Sequence, residues 1–555
     1  MTDTLNGYAR RWWKEAVVYQ IYPRSFMDSN DDGIGDLRGI LDKVPYIKGL
    51  GVDVVWLSPH FDSPNADNGY DIRDYRKVMA EFGTMEDFDA LLGAFHAAGI
   101  RLIIDLVVNH TSDEHAWFAQ ARKSRDNPYR DYYIWRPGNA DISGKEGPPN
   151  NWTSIFTGPA WHKDEATGDY YLHLFAAKQP DLNWDNPAVR HEVYDLMRFW
   201  LDKGVDGFRM DVIPFISKRP GLPSLSDAER AKPQFVYADG PHVHDYLREM
   251  RREALAPYDT MTVGEAFGVT LAQTPLFVDE RRGELDMVFQ FDAVEIDRGA
   301  DGKWKPWRLA DFKAIFSRHD AALDAHCWPT AFFSNHDNPR LVSRYGDDGP
   351  QWRDRSAKLM ATLLLTMKGT PFIYQGDELA MTNYPFTDIS QFDDLWVKGA
   401  WREEVESGRV SAADFLANQL KVSRDHARTP MQWNDARNGG FTTVTPWLAV
   451  NPNTSQINAE KALADPGSVY HYYAAMIALR RRHPALVYGD YQDLLPEHPR
   501  VFAYTRTAGD ETLLVMLNFS AESVAIDLPQ GTCLAGNYDD DAPALRGWEA
   551  RVSQL

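Results

Sequence analysis

The stretch RLIIDLVVNH (101–110) is an unbroken run of Leu, Ile and Val around one Asp, and it ends in Asn109 and His110. A strand with one wet face alternates apolar and polar side chains. A strand covered on both faces reads as a continuous apolar run, which is the mark of a parallel sheet. Seven further runs have this character: VYQIYP (18–23), VDVVWLS (52–58), GFRMDV (207–212), MTVGEAF (261–267), MVFQF (287–291), AFFSNHD (331–337) and TPFIYQGDE (370–378). Between them lie helical patterns such as FDALLGAFHAAGI (88–100), VRHEVYDLMRFWLDKG (189–204) and RSAKLMATLLLTMKG (355–369). Eight strands with intervening helices predict an α/β chain folded as a (β/α)8 TIM barrel, whose chemistry sits where the strands end. Asn109, His110, Asp211, Glu265, His336 and Asp337 all fall at such ends.

Two stretches interrupt the alternation. Residues 111–180 are loop-rich and read as an inserted domain after the third strand; residues 381–465 follow the eighth strand as a subdomain that carries RDHARTPMQWN (424–434). The barrel then accounts for 1–110 and 181–487. After the helix YHYYAAMIALRRRHPAL (470–486), the tail alternates as RVFAYTR, TLLVMLNFS and SVAIDLP. That pattern predicts a small antiparallel β-sandwich at about 488–555.

Bulk properties narrow the partners. The 555 residues carry 59 Lys and Arg against 80 Asp and Glu, a net charge of −21. Such acidity argues against nucleic acid and against anionic lipid, and it fits a neutral small-molecule substrate. The N-terminus lacks the apolar core of a signal peptide, and no run approaches the roughly 20 apolar residues of a membrane span. Cys327 and Cys533 are the two cysteines and imply no disulfide framework, so a reducing cytoplasm is expected, with the chain a monomer or homodimer. Aromatic residues at 13% tilt slightly towards carbohydrate, whose C–H faces stack on rings.

Glycoside hydrolysis needs two carboxyl groups about the scissile bond, roughly 5–5.5 Å apart when one attacks directly. Asp211 and Glu265 end the fourth and fifth strands, and neighbouring strands lie about 4.8 Å apart. Arg209 shares a strand face with Asp211, where a guanidinium would orient that carboxylate and keep it ionised. A buried strand with a purely structural Arg–Asp pair has the same local sequence.

The ordered set DLVVNH (105–110), GFRMDV (207–212), VGEAF (263–267) and FFSNHD (332–337) resembles the α-amylase family of glycoside hydrolases. QPDLNW (179–184) resembles the segment that marks its oligo-1,6-glucosidase subfamily, supported by VVYQIYPRSF (17–26), DNGYDI (67–72) and ARTPMQW (427–433). The resemblance implies Asp211 as nucleophile and Glu265 as acid/base, with Asp337 gripping the 2- and 3-hydroxyls of the bound sugar. It implies that His110 and His336 donate to the same ring, that Arg209 supports Asp211 and that Tyr70 stacks under the sugar. Asp67 and Arg428 would close the pocket on the 4-hydroxyl, with Arg424 the weaker candidate for that place. Phe156, Phe175 and Gln179 would line it. Val212, after the nucleophile, goes with α-1,6 bonds in that subfamily, so isomaltose and short isomaltooligosaccharides are the implied substrates of an exo-acting α-glucosidase.

A calcium loop is also readable. Asp28, Asn30, Asp32, Gly33, Ile34 and Asp36 follow D-x-N-x-D-G-x-x-D, positions 1, 3, 5, 6, 7 and 9 of an EF-hand loop, whereas position 12 is Gly39 in place of Glu. Oxygen ligands from Asp28, Asn30, Asp32, the Ile34 carbonyl and Asp36 favour a structural Ca2+, or Mg2+. An Asp/Asn-rich turn held by its own hydrogen bonds is the plainer reading.

Three rivals remain at this stage. Sucrose isomerases and trehalulose synthases share the resemblance but carry an RLDRD segment where this chain has VEIDRG (294–299). An α-1,4-preferring glucosidase is the second. A non-catalytic transporter subunit is the third, and the retained Asp211, Glu265 and Asp337 count against it.

Overall fold

The structure is a computed structural model that describes residues 4–140, 146–299, 302–529, 531–540 and 542–555. Eight parallel strands form the expected barrel: β1 (Val18–Ile21), β2 (Val54–Leu57), β3 (Arg101–Leu106), β4 (Gly207–Met210), β5 (Met261–Glu265), β6 (Met287–Phe289), β7 (Thr330–Ala331) and β8 (Thr370–Tyr374). Their order is β6-β5-β4-β3-β2-β1-β8-β7, so each strand pairs with its neighbours in sequence. Among the described residues no backbone ladder joins β6 to β7; the Thr330 hydroxyl bridges that seam by donating to the Val288 carbonyl at 3.0 Å.

The period of two explains both core and site. Val18, Val54, Trp56, Ile103, Met261, Val263, Met287, Phe289 and Phe372 fill the barrel interior as one cluster. Tyr19, Val55, Ile104, Phe208, Val288 and Ile373 face outwards and pack under the helices. Carried two residues further along each strand, the inward set turns polar at Gln20, Asp105, Arg209 and Glu265. Register places Arg209 beside Asp105 on one side and Val263 on the other. Gly207 opens β4 at φ +149°, and a Cβ there would lie 1.9 Å from the Met261 carbonyl oxygen, so no larger residue fits.

The strands are shorter than the apolar runs suggest. β6 stops at Phe289 and β7 at Ala331, because the chain beyond them bends out of the ladder to aim side chains over the barrel mouth.

The inserted stretch leaves and returns at adjacent points. The Thr111 amide donates to the Pro180 carbonyl at 3.2 Å and the Leu182 amide to the Asn109 carbonyl at 2.9 Å. Within it, Tyr170–Leu172 is the middle strand of a three-stranded antiparallel sheet. The 381–465 stretch has a small core of its own built on Phe386, Phe392, Val397 and Phe415.

At the C-terminus, β9 (Asp490–Asp493), β10 (Val501–Ala508), β11 (Glu511–Asn518), β12 (Thr532–Gly536) and β13 (Ala550–Gln554) form an antiparallel sheet ordered β9-β10-β11-β13-β12. One face sends Phe502, Tyr504, Leu513 and Val515 into the main core. The other packs Val501, Ala503, Leu514 and Met516 on Val524 and Leu545 of a two-stranded ribbon, so the second layer of the expected sandwich is only that ribbon. Among the described residues no helix is long and apolar enough to cross a membrane.

Candidate active site

Arg209 organises the centre. Its Nη1 donates to Asp105 Oδ1 at 2.5 Å and to Asp211 Oδ1 at 2.7 Å, while Nη2 donates to Glu265 Oε2 at 2.6 Å. The guanidinium is 1% exposed, and Asp211 and Glu265 are 7% and 8% exposed. One fork therefore holds three buried carboxyls within reach of one another. Burial, opposed by Arg209 and reinforced by the charges of Glu265 and Asp105, pushes the Asp211 carboxyl well above the carboxylate range. Burial thus acts on Asp211 against the pull of Arg209, which orients the carboxyl through its hydrogen bond. Asp105 is pushed up to about 6 by burial against the pull of Arg209, and it accepts from Trp56 Nε1 at 2.8 Å.

Asp337 has the opposite environment. Burial alone would raise its carboxyl, but His336, Arg424 and Arg428 outweigh that and hold it far below the usual range. Its Oδ1 accepts from Arg428 Nη2 at 2.7 Å and Arg424 Nη1 at 3.2 Å. Arg424 is fixed in turn by Asp394, with contacts of 2.8 and 2.6 Å. The choice between Arg424 and Arg428 left by the sequence dissolves, since both reach the same carboxylate. Asp67 forms no ion pair with Arg428; it accepts from Gln179 Nε2 at 2.9 Å. Burial pushes Asp67 up to about 6 against both arginines, Arg424 acting more strongly.

Burial pushes His336 down to about 3 against the opposing charge of Asp337. Gln20 Nε2 lies 2.8 Å from its Nδ1 and the Tyr70 hydroxyl 2.7 Å from its Nε2. With Gln20 donating to Nδ1, the imidazole proton sits on Nε2, facing Tyr70 and Asp337. The Tyr70 and His336 rings lie parallel, 5.4 Å apart. His110, pushed down to about 4 by burial, donates from Nε2 to the Tyr70 carbonyl at 3.1 Å. Phe175 lies 5.2 Å from the His110 ring and meets Phe156 edge-on at 5.6 Å; the Arg424 guanidinium sits 5.5 Å over Phe156. Val212 is buried in a left-handed conformation, φ +33° and ψ +39°, and its amide donates to Glu265 Oε2 at 3.2 Å. That backbone is rare for a β-branched residue and marks local strain.

Sequence reasoning gave no role to Asp105, Gln20, Asp394 or Lys218. Asp105 and Gln20 were findable, because inward parity puts both at the mouth. Lys218, which donates to Asn109 Oδ1 at 2.6 Å and pairs with Asp181 at 2.7 Å, ties the chain beyond β4 to the points where the inserted stretch leaves and returns, a tertiary contact with no local signal.

The Asp28–Asp36 loop lies outside this cluster. Asp28 Oδ1 accepts from the amides of Asn30 and Asp31 at 3.0 and 2.8 Å, and Oδ2 from that of Gly33 at 2.8 Å. Asn30 and Asp32 cap the amides of Asp32 and Ile34 at 3.0 and 2.9 Å. Asp36 is the N-cap of helix α1 (Leu37–Asp42), accepting from the Gly39 amide at 2.7 Å. The EF-hand likeness therefore ends at position 9, since position 12 is already helical. Among the described residues no three His, Cys, Asp or Glu side chains gather in a metal-holding group.

A TIM barrel that gathers an Asp and a Glu on a shared arginine, beside a third, ionised aspartate, defines a centre of the glycoside hydrolase type. The chain matches the α-amylase catalytic domain over residues 20–489 and the maltogenic amylase C-terminal domain over 491–538. It is 54% identical to an oligo-1,6-glucosidase of Parageobacillus thermoglucosidasius, covering 98% of this chain and 99% of the relative. It is 52% identical to one of Halalkalibacterium halodurans, covering 98% of both chains. The solved isomaltulose synthase of Klebsiella sp. LX3 superposes with a TM-score of 0.96 at 51% identity, covering 98% of this chain and 99% of that one. The chain belongs to the α-amylase family of glycoside hydrolases.

Proposed function

We propose that this enzyme is a retaining, exo-acting α-glucosidase that releases glucose from the non-reducing end of short α-glucosides and prefers α-1,6 bonds. The observation that carries this reading is the placement of Asp211 and Glu265 on one fork of Arg209. Inverting enzymes separate their carboxyls by about 6.5–9.5 Å to admit a water between catalyst and sugar; two carboxyls held by one guanidinium suit direct attack. Asp211 attacks the anomeric carbon while Glu265 gives a proton to the departing glycosidic oxygen. The Val212 amide and Arg209 then stabilise the Glu265 carboxylate. Glu265 next takes a proton from the water that attacks the glucosyl–Asp211 ester, and the configuration is retained. Asp337, held ionised by its two arginines, binds ring hydroxyls and favours the positive charge that develops in the transition state. Asp67, Arg424 and Arg428 block the pocket beyond one glucose unit.

The 1,6 preference is supported by Val212 and by the relatives named oligo-1,6-glucosidase. The test is a panel of isomaltose, panose, maltose, sucrose and trehalose. The enzyme is expected to turn over isomaltose with a higher kcat/KM than maltose, and Val212→Thr to lower that ratio about tenfold, the scale of one altered side-chain contact in a pocket. Activity on none of the panel would defeat the proposal. Sucrose isomerisation is the second reading, favoured by the likeness to isomaltulose synthase; glucose plus fructose, rather than isomaltulose, as the products from sucrose would dismiss it.

We also propose that Asp28, Asn30, Asp32, the Ile34 carbonyl and Asp36 hold Ca2+, with Mg2+ the weaker candidate. Asp28 and Asp36 are each 3% exposed, and burial and the Asp28 charge push Asp36 up. A divalent cation would compensate both. Chelation should lower the Tm of the wild type, calcium should restore it, and Asp28→Asn should abolish both responses. An unchanged Tm on chelation would remove the ion from the proposal.

A further inference from the structure

At the end of the barrel where the strands begin, opposite the carboxylate cluster, lies a cavity of about 390 Å3. That volume falls within the roughly 300–1,000 Å3 of small-ligand sites. Four arginines line it, Arg10, Arg101, Arg480 and Arg481, together with Trp12 and Tyr488.

Three of these arginines have acidic partners. Arg481 pairs with Asp53 at 2.6 Å, Arg10 with Glu15 at 2.7 Å, and Arg101 with Asp259 and Asp206 at 3.2 and 3.4 Å. Arg480 is different. It is 1% exposed, and its terminal nitrogens donate only to backbone carbonyls, of Leu365, Met367, Leu486 and Gly369. Its Nε is buried without a hydrogen-bond partner. Arg506, also buried, donates only to carbonyls as well and shares that of Leu486. Among the described residues no carboxylate forms an ion pair with either of them. Burial and the Arg506 charge push Arg480 down to about 9, and burial pushes Arg506 down to about 10. Carbonyl dipoles satisfy donors but do not cancel charge, so two neighbouring buried cations are costly unless an anion comes near.

We propose that this cavity binds a phosphate group, either as the free ion or as a phosphate monoester. A dianion answers more than one guanidinium, and planar guanidinium forks match its oxygens. Trp12 and Tyr488 give the organic part of an ester an apolar wall. The ligand would stabilise the native fold by joining the base of β3, through Arg101, to the helix Val469–Arg482 that supplies Arg480 and Arg481.

Thermal denaturation of the whole enzyme in inorganic phosphate, in glucose 6-phosphate and in sodium chloride of equal ionic strength tests this. Tm is expected to rise and saturate with one or both phosphates and not with chloride. A lower half-saturating concentration for glucose 6-phosphate would identify the monoester as the ligand, and the reverse order the free ion. Arg481→Gln and Arg101→Gln, both remote from the catalytic cluster, are expected to keep kcat/KM on isomaltose while weakening the phosphate response about tenfold. No phosphate-specific rise, or an undiminished rise in both variants, would overturn the assignment.

Discussion

Asp211→Asn is expected to lower kcat on isomaltose by about 10^4–10^6-fold, the scale on which loss of a covalent nucleophile acts. The fold should survive, because the amide fills the same volume. Its stability should show the opposite trend to its activity. The folded enzyme pushes the Asp211 carboxyl up, through burial first and then through the charges of Glu265 and Asp105. A group whose folded pKa exceeds its unfolded value contributes stability at low pH that is lost as pH rises through the folded value. Asn has no such loss. The Tm of the variant should therefore fall less than that of the wild type as pH is raised from the carboxylate range to neutrality. Initial rates and calorimetric scans across that range check both halves. A variant with a tenth of wild-type kcat would remove Asp211 from the chemistry.

Arg209→Met carries the largest expected cost in stability. It leaves Asp105, Asp211 and Glu265 without the cation they share. Removing one partner of a buried charge cluster costs about 3–5 kcal/mol. Asp105, already pushed up to about 6 against the pull of Arg209, should rise further without it. The penalty should therefore be smallest in acid and grow as pH climbs through about 6. Activity should fall about 100-fold or more as the carboxyls lose their alignment. Arg209→Lys keeps the charge but not the fork, and its Tm should lie between the two. A methionine variant as stable as wild type at neutral pH would show that the guanidinium is not the common counter-charge.

Much of the site was legible because it obeys local rules. Apolar runs marked the strands, their polar ends marked the mouth, and motif spacing brought Asp211, Glu265 and Asp337 forward. Parity alone also reaches Asp105, the inward residue two before the end of its run, although the sequence reading did not use it. What escaped depends on long-range contacts. Nothing near Asp394 tells that it clamps Arg424, and nothing near Lys218 tells that it meets Asn109 and Asp181. The proton balance also escaped. Arg209 beside Asp211 reads as a simple ion pair until the burial of three acids around one cation is known. At the C-terminus alternation predicted strands correctly, but it could not tell a full second sheet from a ribbon.

The barrel is a hoop laced by main-chain bonds at seven joins and pinned by one hydroxyl at the eighth, between Val288 and Thr330. A laced join cannot slide without unzipping, whereas a pinned one can widen and reclose. The chain leaving β7 at this join becomes the loop that carries His336 and Asp337, and the chain leaving β6 becomes the opposing lip with Phe291 and the 294–299 turn. An opening of the ring at this join would part the wall that carries His336 and Asp337 from its neighbour without breaking a ladder bond among the described residues.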